Sequence, residues 1–96
     1  MGDLKELIAA ELKRWNNPYP LEKIFHTADP ETVAEQIDAF CEREMGSGIA
    51  KTVFYEVSIG IVCGLRLHNQ ARIVIKALAP TSQTDYLRAM VRIQHY

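Results

Sequence analysis

Residues 46–78 read GSGIAKTVFYEVSIGIVCGLRLHNQARIVIKAL, and the spacing of apolar side chains along them predicts the architecture of the chain. From Lys51 the apolar and polar residues alternate with a period of two, which is typical of a β-strand. A second apolar run at residues 59–67 contains two glycines, and the polar residues 68–70 form a turn. Residues 72–78, RIVIKAL, are the clearest strand. We therefore predict a small antiparallel sheet of two or three strands.

Helical periodicity dominates the residues before the sheet. Residues 4–15 carry apolar side chains on one helical face, and a run of asparagine and proline ends the pattern. A short helical turn is expected at residues 21–25. A second long helix should begin at Asp29, because its carboxylate can accept hydrogen bonds from the first amides, and Pro30 fits the first turn without loss. Gly46 ends this helix, since glycine readily adopts the left-handed conformation that follows helices.

A last helix is predicted after the sheet. Pro80 ends the final strand, and Thr81 or Ser82 can cap a helix. Apolar residues then recur at helical spacing as far as the end of the chain. The sequence thus predicts the α+β class, with two N-terminal helices, a small antiparallel sheet and a C-terminal helix over residues 81–96.

The composition is that of one globular domain. The chain has 96 residues, of which 48% are hydrophobic and 24% charged, so it can bury a single core. No run of about 18 apolar residues occurs and the N-terminus lacks the basic start of a signal peptide, so we expect a cytoplasmic protein that does not bind membranes. Cys41 and Cys63 lack CxxC or metal-ligand spacing, and neither a disulfide nor a metal site is predicted.

The two halves of the chain differ in charge. Residues 1–50 hold ten acidic and five basic side chains, whereas residues 51–96 hold two acidic and six basic ones. The asymmetry favours either a small anionic ligand on the second half or charge complementation between the halves. The sequence shows no dense cluster of lysine and arginine, so nucleic acid is not expected as a partner.

Lys76 is the polar exception in the clearest strand. Alternation places it on one face of the sheet between Val74 and Leu78, while residues 73, 75 and 77 point to the other face. An ammonium group in this position must reach water or meet an anion, because burying it unpaired costs several kcal/mol. Either a solvated lysine at a sheet edge or an anion-binding lysine fits this pattern.

The glycine turn offers a second candidate feature. Gly46 and Gly48 flank Ser47, and small residues at such a turn allow backbone amides to converge on a phosphate group. A strand leaves the turn immediately, with Val53 on the face expected to carry Tyr55. Taken alone, such a turn is more often the end of a helix followed by a tight turn than a phosphate-binding loop.

The order of these features resembles the N-terminal lobe of the protein-kinase-like fold, and more closely that of the aminoglycoside phosphotransferase-like small-molecule kinases. The matching features are a GxGxxxxV turn, an antiparallel hairpin, an Ile-Val-Ile-Lys strand and a following helix. The resemblance covers about residues 30–96. It implies a single domain, residues 1–96, in which a helical extension (residues 1–28) precedes a kinase-lobe-like unit (residues 29–96).

The resemblance also implies a cofactor and the residues that hold it. The cofactor would be ATP, covered by a loop of Gly46, Ser47 and Gly48. Val53 would contact the adenine ring, and Lys76 would contact the α and β phosphates.

Three departures from the kinase pattern are visible. Lys51 replaces the third glycine of the loop. The distance from Gly46 to Lys76 is about eight residues longer than usual, so either the hairpin is extended through residues 59–64, which we favour, or the loop is formed by residues 58–64 instead. Residues 81–96 contain no glutamate to hold the lysine. Its partner would be Asp85 or Gln94, or a residue outside this chain.

The chain is too short for the lobe that carries the chemistry. The resemblance assigns the catalytic base and the metal-binding aspartate to a C-terminal lobe, so neither a catalytic residue nor a metal ligand is expected here, and Mg²⁺ would require that lobe. We expect a truncated domain with half an active site, whose partner is a C-terminal lobe or a second copy through the exposed sheet face. The alternative is a stand-alone α+β interaction module that docks through the Val74 and Leu78 face without nucleotide.

Overall fold

Three helices precede four strands among the residues that the structure describes. The structure is a computed structural model that describes residues 3–57, 60–78 and 90–95. The elements are α1 (Leu4–Trp15), α2 (Tyr19–Phe25), α3 (Pro30–Met45), β1 (Ile49–Val57), β2 (Gly60–Leu67), β3 (Arg72–Leu78) and β4 (Met90–His95). The predicted α+β class is confirmed, and the short turn expected between the two long helices is the helix α2.

The ends of α3 follow the signals read from the sequence. The Asp29 side chain accepts a hydrogen bond from the amide of Thr32 at 3.0 Å, and Pro30 occupies the first turn. Gly46 follows the last turn with φ of 73°, in the left-handed region that favours glycine. The Thr32 hydroxyl donates a second hydrogen bond to the Asp29 carboxylate, and these two bonds lower the pKa of that carboxyl.

The strands form one antiparallel sheet in the order β1-β2-β3-β4, so that each strand pairs with the next along the chain. The described residues therefore hold four strands, where the sequence predicts two or three. The additional strand, β4, pairs with the free edge of β3, where Ile93 lies opposite Ile75.

The additional strand shows that the prediction of a C-terminal helix is wrong for part of its length. Residues 90–95 of that helix form β4, while residues 81–89 and 96 lie outside the described part of the chain. Over six residues, MVRIQH, a period of two fits the apolar positions as well as a helical period does. The edge of β3 offers backbone donors and acceptors that pairing satisfies, and this tertiary contribution is absent from local sequence patterns.

The helices cover one face of the sheet, here called the inner face. Contacts join α1 to α3 and β1, and α2 to β2 and β3. A single cluster of buried side chains holds the layers together, with Leu4, Ile8, Leu21, Val33, Ile37 and Cys41 from the helices and Ile61, Cys63, Leu65, Ile73 and Ile75 from the sheet. The helices predicted as an extension thus contribute fully buried residues to the core.

The opposite face of the sheet is called the outer face, and no described element packs on it. Two irregularities in β1 change which side chains reach it. One extra residue at Ala50 moves Lys51 from the inner to the outer face, and a second at Val53 does the same for Phe54. Val53 was expected to share a face with Tyr55, but it is 55% exposed while Tyr55 is buried.

No helix among the described residues is long and apolar enough to cross a membrane.

Two hydroxyl groups on the inner side of β1 are buried without a hydrogen-bond partner among the described residues, those of Thr52 and Tyr55. Burial raises the pKa of the Tyr55 phenol, and the nearby Cys63 and Glu11 raise it further. We expect Tyr55→Phe to increase the free energy of unfolding by about 1 kcal/mol, because a buried hydroxyl without a partner costs stability. Urea unfolding at pH 7 measures this change. Thr52→Val should shift stability in the same direction, and a loss of stability in both variants would contradict the prediction.

Candidate functional site on the outer face of the sheet

Neighbouring strands bring the outward side chains of the sheet into rows. Three rows cross β1, β2 and β3 in the order Lys51–Arg66–Arg72, Phe54–Gly64–Val74 and Glu56–Val62–Lys76. The first and third rows carry charges, and the middle row is apolar. The outer face therefore combines two charged strips with an apolar centre.

Positive charge dominates this face. Lys51, Arg66, Arg72 and Lys76 are all exposed, and Glu56 is the sole acidic residue among the described positions of the sheet. The two salt bridges found in the described residues both lie within the helices, Arg14 with Glu11 at 3.9 Å and Arg43 with Glu44 at 3.5 Å. The cations of the sheet are thus not neutralised by the acidic helices through ion pairs, at least within the part of the chain that the structure describes.

Lys76 lies in the middle of β3, as predicted, with its side chain on the outer face. It pairs in register with Val62. Two residues further along β3, Leu78 pairs with Gly60, the first residue of β2. The carboxylate-bearing residue of its row, Glu56, stands two strands away, roughly 10 Å between backbones. The ammonium group has no carboxylate within 4.0 Å among the described residues.

The glycine turn lies at the opposite end of the sheet from Lys76. The amide of His68 donates to the carbonyl of Gly48 at 3.0 Å, and the amide of Asn69 donates to Oγ of Ser47 at 3.1 Å. The turn therefore packs against the hairpin between β2 and β3. The length of β1 separates it from the row of Lys76 by roughly 20 Å. The structure does not bring the predicted loop and the predicted phosphate-binding lysine together.

Protein carboxylates already occupy the neighbourhood of the glycine turn. The amide of Ile49 donates to Oδ1 of Asp38 at 2.8 Å, and the amide of Gly46 donates to the carbonyl of Glu42 at 3.0 Å. A Cβ atom on Gly48 would lie 3.0 Å from both the Asp38 and Glu42 carboxylates. Two negative charges at this position disfavour a phosphate, and Gly48 is small because α3 and β1 meet closely there.

Val53 is also remote from Lys76. It lines a shallow depression of about 260 Å³ together with Lys51, Arg66 and Arg72, at the end of the sheet near the glycine turn. Of the five residues predicted for a nucleotide site, only Lys76 lies near residues 60–64 of the alternative loop, and these residues form the start of strand β2 instead of a loop. Residues 58 and 59 of that loop lie outside the described part of the chain.

Sequence reasoning missed the row of Lys51, Arg66 and Arg72. The excess of basic residues after position 50 was the available signal. Arg66 and Arg72 also flank the polar turn, and alternation from the buried residues of their strands could have placed both on one face. The position of Lys51 depends on the extra residue at Ala50, which the sequence pattern does not reveal.

Among the described residues, no group of three or more histidine, cysteine, aspartate or glutamate side chains is placed to hold a metal ion. No family model matches the chain, and comparisons with curated proteins and with solved structures give no match either. The site and the fold thus define the chain as an α+β domain with a helix-covered inner face and a basic outer face.

Proposed function

We propose that the chain is the nucleotide-holding lobe of a cytoplasmic, kinase-like small-molecule phosphotransferase, and that it binds the phosphates of ATP on the outer face of the sheet. Lys76 is the residue that contacts the phosphates. The observation that carries the proposal is the position of this lysine: central in a strand, exposed, and without a carboxylate within 4.0 Å among the described residues. A cation in such a place favours an anion supplied from solution.

The proposal places the phosphates at the end of the sheet where β1 ends and β2 begins. Gly60 begins β2 opposite Leu78, two residues from Lys76, so this end of the sheet lies close to the lysine. The turn at Gly46 and Gly48 instead joins a helix to a strand. Gly60 and Gly64 both lie in strand β2, so residues 60–64 of the alternative loop are not a loop, and the extra residues between Gly46 and Lys76 extend the hairpin of β1 and β2.

The base of the nucleotide needs an apolar surface beside the lysine. Val62, directly opposite Lys76, and Val74, two residues before it, are half-buried on the same face. A purine ring placed there covers both valines and leaves its phosphates at the ammonium group. In this arrangement Val62 and Val74 take the role that the resemblance assigns to Val53.

The proposal concerns nucleotide binding and leaves phosphoryl transfer to a second lobe. Transfer needs a base for the acceptor hydroxyl and carboxylates that bind Mg²⁺. The one acidic residue on the described part of the sheet, Glu56, lies two strands from Lys76. A C-terminal lobe that faces the outer surface would supply these groups and would cover the apolar centre of the sheet.

Replacement of Lys76 by glutamine tests the proposal. We expect Lys76→Gln to weaken ATP binding at least about tenfold, because the variant loses a charge-assisted contact to phosphate. Isothermal titration calorimetry of the wild-type chain and the variant measures this change. Arg43→Gln is the matched control, since it removes an exposed cation from the helices and should leave the affinity unchanged. Equal affinities of wild type and Lys76→Gln would refute the role of Lys76.

A stand-alone interaction module is the second candidate, and the apolar centre of the outer face favours it. Phe54, Val62 and Val74 are half-buried apolar side chains there. Docking of a symmetric second copy would bring two sets of cations together, which opposes association. Sedimentation velocity on the titration samples separates the candidates: a module that acts by association dimerises with rising concentration and does not respond to ATP.

A further inference from the structure

Three cations stand in one row at the end of the sheet that is remote from Lys76. Lys51 is directly opposite Arg66, and Arg66 is directly opposite Arg72, across three adjacent strands. All three are exposed, and none forms an ion pair with another described residue. The backbones of the outer two strands are roughly 10 Å apart, so the row presents three positive charges over about that length.

This arrangement opposes the stability of the sheet. Like charges at directly opposite positions of antiparallel strands are destabilising, and the row contains two such pairs. The third charge is present only because of an irregularity in the backbone: strict alternation from the buried Ile49 would turn Lys51 toward the helices. The extra residue at Ala50 redirects it to the outer face, and bulges of this kind commonly re-aim side chains at binding sites.

The second extra residue of β1 completes a concave surface. Val53 is 55% exposed and, with the three cations, lines a shallow depression of about 260 Å³ that is open to solvent. This volume is that of roughly nine molecules of liquid water, which leaves room for a short chain of phosphate groups. Three of the four lining residues, Lys51, Arg66 and Arg72, are cationic, and Val53 is the apolar one.

We propose that Lys51, Arg66 and Arg72 form a second anion site, which binds a chain of two or three phosphate groups laid across the strands. Arginine forks pair with phosphate oxygens in two-point contacts, and lysine adds a point charge at one end. The chain comes from inorganic polyphosphate or from a nucleoside triphosphate, which share this chemistry. Arg72 and Lys76 are four residues apart on β3, roughly 13 Å, so the site is separate from the one proposed at Lys76.

Titration of sodium tripolyphosphate tests the second site. We expect saturable binding to the wild-type chain, and at least tenfold weaker binding to Arg66→Gln and to Arg72→Gln. Lys13→Gln and Arg43→Gln are the matched controls, since each removes an exposed cation from the helices, and each should bind tripolyphosphate within twofold of wild type. The arginine variants should also unfold at the same or a higher temperature in low salt, because each removes repulsion. A structural role for the arginines would lower the unfolding temperature instead.

The same variants identify the source of the phosphate groups. Weaker binding of both ATP and tripolyphosphate by the arginine variants assigns the site to a nucleoside triphosphate, and weaker binding of tripolyphosphate alone assigns it to free polyphosphate. Unchanged tripolyphosphate affinity in Arg66→Gln and Arg72→Gln overturns the proposal, as does an equal loss in all four variants, which indicates unspecific attraction. The ATP affinity of Lys76→Gln tests the site at Lys76 by itself, so a negative result at one site does not decide the test of the other.

Discussion

Raising the pH from 8 to 10 is expected to lower the free energy of unfolding by about 2 to 3 kcal/mol, because two core thiols ionise only in the unfolded chain. Cys41 lies in α3 and Cys63 in β2, and both are fully buried. Burial raises the pKa of Cys41 from 9.0 to about 11, with a smaller contribution from the charge of Asp38. Burial likewise raises the pKa of Cys63 to about 12, and Cys41 adds to this increase.

The direction of the effect follows from which state binds the protons. Below pH 9 the thiols are protonated in both the folded and the unfolded chain, so their full contribution to stability is present. As the pH rises above 9 the unfolded thiols lose their protons while the folded thiols keep them, and unfolding becomes more favourable. The loss continues until the pH reaches the folded pKa of each thiol.

Urea unfolding at pH 8, 9 and 10 measures this loss. Cys41→Ala and Cys63→Ala serve as controls. Each removes one thiol and lowers stability at every pH through the lost volume, yet each should reduce the slope between pH 8 and 10 by about half. A wild-type chain whose stability does not change over this range, or alanine variants that keep the full slope, would contradict the assignment.

Replacement of Gly64 by valine is expected to cost about 1 to 3 kcal/mol, because it overpacks the centre of the outer face. Gly64 lies opposite Phe54 in register, and the aromatic ring covers it. A Cβ atom on Gly64 would lie 2.7 Å from Cδ1 of Phe54 and closer still to Cε1. The ring must then leave the sheet surface and lose its packing.

The cause can be isolated with a second substitution. In a Phe54→Ala background the ring is absent, and Gly64→Val should be neutral or stabilising, since glycine in a strand interior is unfavourable. Chemical unfolding of the four chains forms a double-mutant cycle, in which the interaction energy reports the contact between residues 54 and 64. Equal losses in both backgrounds would show that the ring is not responsible.

Local signals predicted the elements whose causes are local. Asp29 and Pro30 start α3, and Gly46 ends it, because capping and left-handed backbone depend on residues close in sequence. The alternation of residues 72–77 likewise predicted which side chains of β3 share a face, and the structure shows that the face of Ile73, Ile75 and Ala77 is the buried one. The prediction of a C-terminal helix was wrong over residues 90–95, because pairing with the edge of β3 outweighs an ambiguous six-residue pattern.

The candidate site was less accessible to such reasoning. The face of Lys76 followed from alternation, but its distance from Gly46 and Gly48 depends on how β1 is placed in the sheet. A glycine turn fits the end of a helix as well as a phosphate loop, and the carboxylates of Asp38 and Glu42 that occupy its surroundings come from α3. Two extra residues in β1 leave no mark in a pattern of apolar positions.

The separation of charge between the two layers has a kinetic consequence. Among the described residues, acidic side chains concentrate on the helices and basic side chains on the outer face, so this part of the chain is an electric dipole whose positive pole is the outer face. We expect the field of this dipole to orient the proposed anionic ligands toward the outer face before they make contact. We also expect added salt to slow their association more than it changes their dissociation, because salt screens the field over roughly a Debye length.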